Sequence, residues 1–320
     1  MKFIGIQKRH GTTLGVLVGG EALDLSACGD ILPAARAWPP SLRGLLEIGN
    51  SALDAVRRIT DEAAGPSVSE RLRANGSLTT LDRLTLAAPV PEPGMILSCG
   101  MNYHEHLKEM NTPVPDKPTA FYKSITAIIG PGAPIVLPKL APDMVDWEGE
   151  FSVVIGKRCY AVPASDAMDH VAGYTIVNDV SARDWVEAAI TPKEPQVAAA
   201  GWRLNHLGKQ FPTFSPMGPV MLVRENDAPA PDLQLTTRLN GKVMQSARTG
   251  DLIFSVGETI AWFSRWYRFM PGDIVTTGSP DGVGYARNPK VFMKHGDVVE
   301  VEVEGIGVLS NPIRNARPAR

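Results

Sequence analysis

Two carboxylates stand two residues apart in Asp146-Trp147-Glu148-Gly149-Glu150-Phe151, at the start of an apolar, β-branched run. Alternate side chains on a strand share a face, so Glu148 and Glu150 point the same way. A second strand-like run, GYTIVNDVSARDW, carries Asp179 near its end. Three acids brought together repel one another, and burying them uncompensated costs several kcal/mol each. A hard divalent cation removes that cost, and carboxylate oxygens suit Mg²⁺, Mn²⁺ or Ca²⁺. Spacing alone leaves two readings open, a solvated strand face and a cation site. Asp146 reads as a turn residue or as an outer partner of that site.

Other residues could work beside such a cation. In GMNYHEHLKEM, His106 and Glu109 are three apart and share a face if the segment is helical. A carboxylate next to a histidine orients the ring and supports it as a base, although an ordinary surface pair has the same spacing. His104 lies off that face, and the Gly-Met-Asn lead-in suits a mobile lid. Lys209, in LGKQFPTFSPMGP, sits in a glycine-flanked turn; it either faces solvent or meets an anionic substrate or oxyanion. In DIVTTGSPDGVG, Gly278, Gly282 and Gly284 allow close backbone approach, while Thr277 and Ser279 offer hydroxyls. The phosphate-loop pattern GxxxxGK[ST] is absent there, and a plain glycine-rich turn fits equally well.

The elements that must position these residues are mostly strands. Residues 1–26 alternate as an antiparallel meander with glycine turns, and residues 40–75 have helical spacing. The proline-rich stretch LAAPVPEPG reads as a linker. The expected division is a small N-terminal domain, residues 1–87, and a larger domain, residues 88–320. The larger part is a series of short strands with an Asn240-Gly241 hairpin signal and one substantial helix, in LIFSVGETIAWFSRW. The alternation of strands with long helices that marks parallel α/β folds is missing, so the expected class is α+β, mainly β.

The chain has 320 residues, 44% of them hydrophobic, and a net charge of −2. The absence of a basic block leaves nucleic-acid and anionic-membrane partners without support. Cys28, Cys99 and Cys159 form no CxxC pair and point to a reducing compartment. The start MKFIGIQKRHG lacks the apolar core of a signal peptide, and no apolar run approaches the ~18 residues of a membrane span. A soluble cytoplasmic protein is the expectation.

In their order, GMNYHEHLKE, FYKSITAIIGPG, DWEGEFSVVIG, YTIVNDVSARD, LGKQFPTFSPMGP and MPGDIVTTGSPDGVG resemble the fumarylacetoacetate hydrolase family across nearly all of residues 95–312. The resemblance implies a roll of mixed β-sheets around the active site, preceded by a smaller N-terminal α+β domain, in homodimers. It implies that Glu148, Glu150 and Asp179 hold Mg²⁺ or Mn²⁺. It makes His106 and Glu109 a catalytic dyad on a lid, with Lys209 as a third catalytic residue. Tyr103, Arg183, Thr277, Gly278 and Ser279 would bind substrate, Ser279 standing where the family has threonine. The implied reaction is hydrolysis of a carbon–carbon bond in an acylpyruvate-type 2-oxo acid, through an enolate. His106 would activate the water, and Lys209 with Arg183 would hold the developing charge.

One departure bears on that reaction. Hydrolytic relatives often carry Gln three residues after the arginine, and this chain has Val186. Loss of one oxyanion donor can cost about 10²–10³ in rate. The alternative is isomerisation or decarboxylation of 2-oxo or 2-hydroxymuconate-type diacids or oxaloacetate. A reading of another class is a catalytically silent metal- or ligand-binding module.

Overall fold

The computed structural model describes residues 1–190, 194–225 and 229–316. Its centre is a twelve-stranded sheet. The strand Gly149–Ile155, buried at every residue, lies between Val171–Asn178 and Ile274–Thr276 and is antiparallel to both. Burial on both faces explains why its apolar residues run without alternation. Ile274–Thr276 runs parallel to Ile96–Gly100, and Thr119–Lys123 closes that side as the edge strand. On the other side Val171–Asn178 pairs with Ser215–Val223, which pairs with Lys2–Lys8 of the N-terminal meander.

A second sheet has five strands, with Lys242–Arg248, Gln234–Leu239, Val298–Val303, Gly307–Asn315 and Ile135–Leu137 in that order. Its first hairpin turns at Asn240 and Gly241, both at positive φ (52° and 79°), as their sequence predicts. Mixed strand directions and few helices confirm the α+β, mainly β class. Residues 40–75 form three helices, Leu42–Ile48, Asn50–Ala63 and Pro66–Ala74, the first capped by the Ser41 side chain.

One expectation is corrected. The helix in LIFSVGETIAWFSRW is Val256–Phe263, closed by a Ser255–Glu258 capping box, but it is not the one substantial helix of the larger part. Pro195–Leu207 is longer, and Val186–Ile190 packs against it. Among the described residues no helix is long and apolar enough to cross a membrane. All three cysteines are free and buried.

Candidate active site

Pairing of Gly149 with Asn178 places the two acid-bearing segments side by side. Glu148, Glu150 and Asp179 each bring a carboxylate oxygen within 4.8 Å of the others, and all three are buried. Glu148 is further fixed by its backbone: its N–H donates to Asn178 Oδ1 at 3.0 Å, and its carbonyl accepts from Asp179 N–H at 2.8 Å. The three acids predicted as metal ligands are therefore brought together.

Cations crowd this cluster without balancing it. Lys209 Nζ reaches Glu148 Oε2 at 2.6 Å and Asp179 Oδ2 at 2.7 Å. Arg183 bridges Asp146 Oδ2 at 2.9 Å and Glu148 Oε1 at 2.6 Å. Lys123, fully buried, donates to Asp179 Oδ1 and to the Phe214 carbonyl. Four buried carboxylates (Asp146, Glu148, Glu150, Asp179) thus face three buried cations (Lys123, Arg183, Lys209). Glu150 is the acid left over: among the described residues it makes no ion pair, and its Oε2 has no hydrogen-bond partner. Burial, then the charges of Asp179 and Glu148, push its carboxyl well above the usual range. Burial alone would raise Glu148 too, but Lys209 and Arg183 outweigh it and hold that carboxyl far below. An excess buried carboxylate beside two others, with no nitrogen or sulfur donor in the set, fits a hard divalent cation.

The segment predicted as a lid forms the helix His104–Glu109. His106 Nδ1 lies 2.8 Å from Glu109 Oε1. The second carboxylate oxygen of Glu109 accepts the Gly282 N–H at 3.0 Å, tying the helix to the glycine-rich turn. Gly282 has φ +91°, and a Cβ there would meet the Met244 carbonyl oxygen at 2.1 Å, so the turn tolerates only glycine. His106, Glu148, Glu150, Arg183, Lys209 and Ser279 all line one cavity of about 320 Å³.

Several predicted residues lie outside that wall. Tyr103 is 2% exposed and packs behind it, bridging to Leu252. The Thr277 hydroxyl donates to the Phe151 carbonyl at 2.8 Å. Gly278, at φ +90°, gives room to Asn102, whose Cβ would lie 3.2 Å from an added Cβ. Asp146 acts as an anchor: besides Arg183 it accepts the N–H groups of Trp147, Gly284 and Tyr285. Lys123, Asn205 and His206 belong to the site and were not expected there. A lysine within FYKSITAIIGPG was the available signal for the first. His206 has its ring depressed in basicity by burial and by Lys209. Val186 lines the cavity as well, an apolar side chain close in sequence to Arg183.

Residues 95–314 match the family model described as fumarylacetoacetate (FAA) hydrolase, C-terminal. The chain is 39% identical over 319 residues to oxaloacetate tautomerase FAHD2A, mitochondrial, of Bos taurus; the alignment covers 98% of this chain and 91% of the relative. Among solved structures it is similar to 5-carboxymethyl-2-hydroxymuconate delta-isomerase from Mycobacterium smegmatis, with a TM-score of 0.67, 29% identity, and coverage of 99% of this chain and 100% of that one. Maleylpyruvate hydrolase from Sphingobium sp. SYK-6, in complex with manganese(II) ion and pyruvate, gives a TM-score of 0.72 at 25% identity with the same coverage. The bovine relative's name corrects the cytoplasmic placement expected from the sequence. Three free, buried thiols do not distinguish the cytoplasm from another compartment.

Proposed function

The chain belongs to the fumarylacetoacetate hydrolase family, and from that premise we propose that it is a divalent-metal-dependent tautomerase interconverting the enol and keto forms of oxaloacetate. The observation that carries this reading is the partition of the cavity wall. A histidine held by a carboxylate faces an acid cluster with excess negative charge, while position 186 is apolar. Hydrolysis needs a donor for the oxyanion that water creates, and Val186 supplies none. Tautomerisation needs only a base that moves one proton and a positive field at the enolate oxygen. The full-length likeness to a relative named oxaloacetate tautomerase supports the same choice, which favours the isomerase alternative over the hydrolase expected first.

Glu148, Glu150 and Asp179 would hold Mg²⁺ or Mn²⁺, which supplies Lewis-acid polarisation of the 2-oxo group. Glu109 accepts from Nδ1–H of His106 and so leaves Nε2 for the substrate. Nε2 takes the O2 proton of the enol and then delivers it to C3, so the imidazole ends neutral as it began; the reverse step takes the C3 proton and returns it to O2. Lys209 and Arg183 keep positive charge beside the carboxylates, where the enolate oxygen would otherwise meet an uncompensated field.

The test follows the enol absorbance of oxaloacetate with Mg²⁺ or Mn²⁺, then with excess chelator. Ketonisation accelerated by the metal-loaded enzyme and lost on chelation is expected. Acetylpyruvate hydrolysis, measured in parallel, should be slower by about 10²-fold or more. Faster hydrolysis than ketonisation would restore the hydrolase reading, and full turnover after complete metal removal would end the metal-dependent one.

A further inference from the structure

The cavity has a part that proton transfer on a four-carbon diacid does not use. The helix Pro195–Leu207 turns Trp202, Asn205 and His206 toward it, at positions i, i+3 and i+4 and hence on one face. An aromatic row leads there from the acid cluster. Lys209 Nζ lies 5.2 Å from the Phe121 ring centroid. Phe121 stacks on His206 at 5.0 Å with 13° between planes. Trp202 follows 6.5 Å from His206, tilted by 43°. The row runs outward, from Lys209 at 6% exposure to Trp202 at 36%. Such a surface gains little from a second carboxylate and much from a flat ring.

Asn205 adds an independent observation. It is 5% exposed, and among the described residues its Oδ1 has no hydrogen-bond partner. An amide buried without a partner is costly, and a ligand hydroxyl that pairs with it recovers that cost.

We propose that the enzyme also takes 2-oxo acids bearing a hydroxylated aromatic ring on C3. The 2-oxo acid end sits at the acid cluster, the ring lies along Phe121, His206 and Trp202, and the ring hydroxyl meets Asn205. The chemistry is the same proton shift between O2 and C3, with no atom added or lost. That chemistry rests on the tautomerase reading, whereas the ring site is testable by binding alone.

Equilibrium binding of pyruvate, phenylpyruvate and 4-hydroxyphenylpyruvate is measured by calorimetry in the presence of Mn²⁺. Phenylpyruvate should bind at least about ten-fold tighter than pyruvate. The 4-hydroxy compound should bind about five-fold tighter again. Trp202→Ala should erase the first advantage and Trp202→Phe retain it, while Asn205→Leu erases the second. Equal binding of pyruvate and phenylpyruvate overturns the inference, as does a ring preference that Trp202→Ala leaves intact. Ring-selective binding without ketonisation of any enol would remove the tautomerase reading and leave the ring site standing. Ketonisation of oxaloacetate without ring selectivity would do the opposite.

Discussion

Glu150 is the residue on which the cation site turns. Glu148 and Asp179 have cationic partners within the chain, whereas among the described residues the Oε2 of Glu150 has none. Glu150→Gln removes the excess charge and keeps the shape. Without divalent ions the variant should therefore be more stable than the wild type, by about 1–3 kcal/mol, because it no longer carries the cost of burying that carboxyl, whether charged or forced to take up a proton. With Mn²⁺ at roughly a hundred-fold excess over its Kd, the wild type should gain about 2.7 kcal/mol and the variant almost nothing. Thermal unfolding with and without Mn²⁺ measures both. A wild-type Tm indifferent to Mn²⁺ would refute the assignment. The glutamate pair is legible in the sequence because its logic is local, two acids on one face of a strand. Lys123 is not: a strand lysine reads as solvated, and its partners Asp179 and Phe214 lie 56 and 91 residues away. Tyr103 errs the other way, since its place in a motif says nothing about which side of the wall its ring takes.

Among the elements, the short helix His104–Glu109 is held over the cavity through one carboxylate. Glu109 accepts from the Gly282 N–H with one oxygen and meets His106 Nδ1 with the other, so it has a latching and an orienting task. Two substitutions separate them. Glu109→Gln can still accept from Gly282 with its amide oxygen, but its NH₂ now faces Nδ1 and favours the tautomer with the proton on Nε2. Ketonisation should fall by about 10²–10⁴, as expected when a base is held in the wrong tautomer, while amide exchange in residues 104–109 stays slow. Glu109→Ala should lose comparable activity and also speed that exchange. A Gln variant with wild-type turnover would show that the pairing does not orient the base. This helix is legible from the His106–Glu109 spacing, whereas Pro195–Leu207 is not. Its buried face is Gly201 and Asn205, and a Cβ on Gly201 would meet the Ala188 carbonyl oxygen at 2.4 Å. Val197, Leu204 and Leu207 are exposed instead, so hydrophobic periodicity gives no helical stripe. Pro195 at its first turn and the run Ala198-Ala199-Ala200 were the usable signals.

At the scale of the whole molecule, the site depends on strands that the N-terminal segment helps to hold. Asp179 follows the strand Val171–Asn178, which lies between Gly149–Ile155 and Ser215–Val223; the latter is in turn covered by Lys2–Lys8 through Lys2–Leu222 and Phe3–Met221. The core does not divide at residue 88 either. Phe3, Leu14 and Val16 belong to one cluster with Val177, Met217, Met221 and Ile274. Removing residues 1–87 would strip apolar cover from those four residues and open the edge of Ser215–Val223, a template for pairing with another chain. The full chain should accordingly unfold in urea as one transition, with tryptophan fluorescence and far-ultraviolet circular dichroism coincident. A fragment of residues 88–320 should aggregate or melt at least about 10 °C lower, and it should lose the Mn²⁺-induced rise in Tm, because the strand leading to Asp179 is no longer braced. Two separated transitions, or a fragment that melts with the full chain and still answers to Mn²⁺, would show that the 1–87 and 88–320 parts are autonomous. A change of composition along the chain marks where the architecture changes, whereas shared packing such as that of Phe3 with Met221 indicates that the two parts stabilise each other.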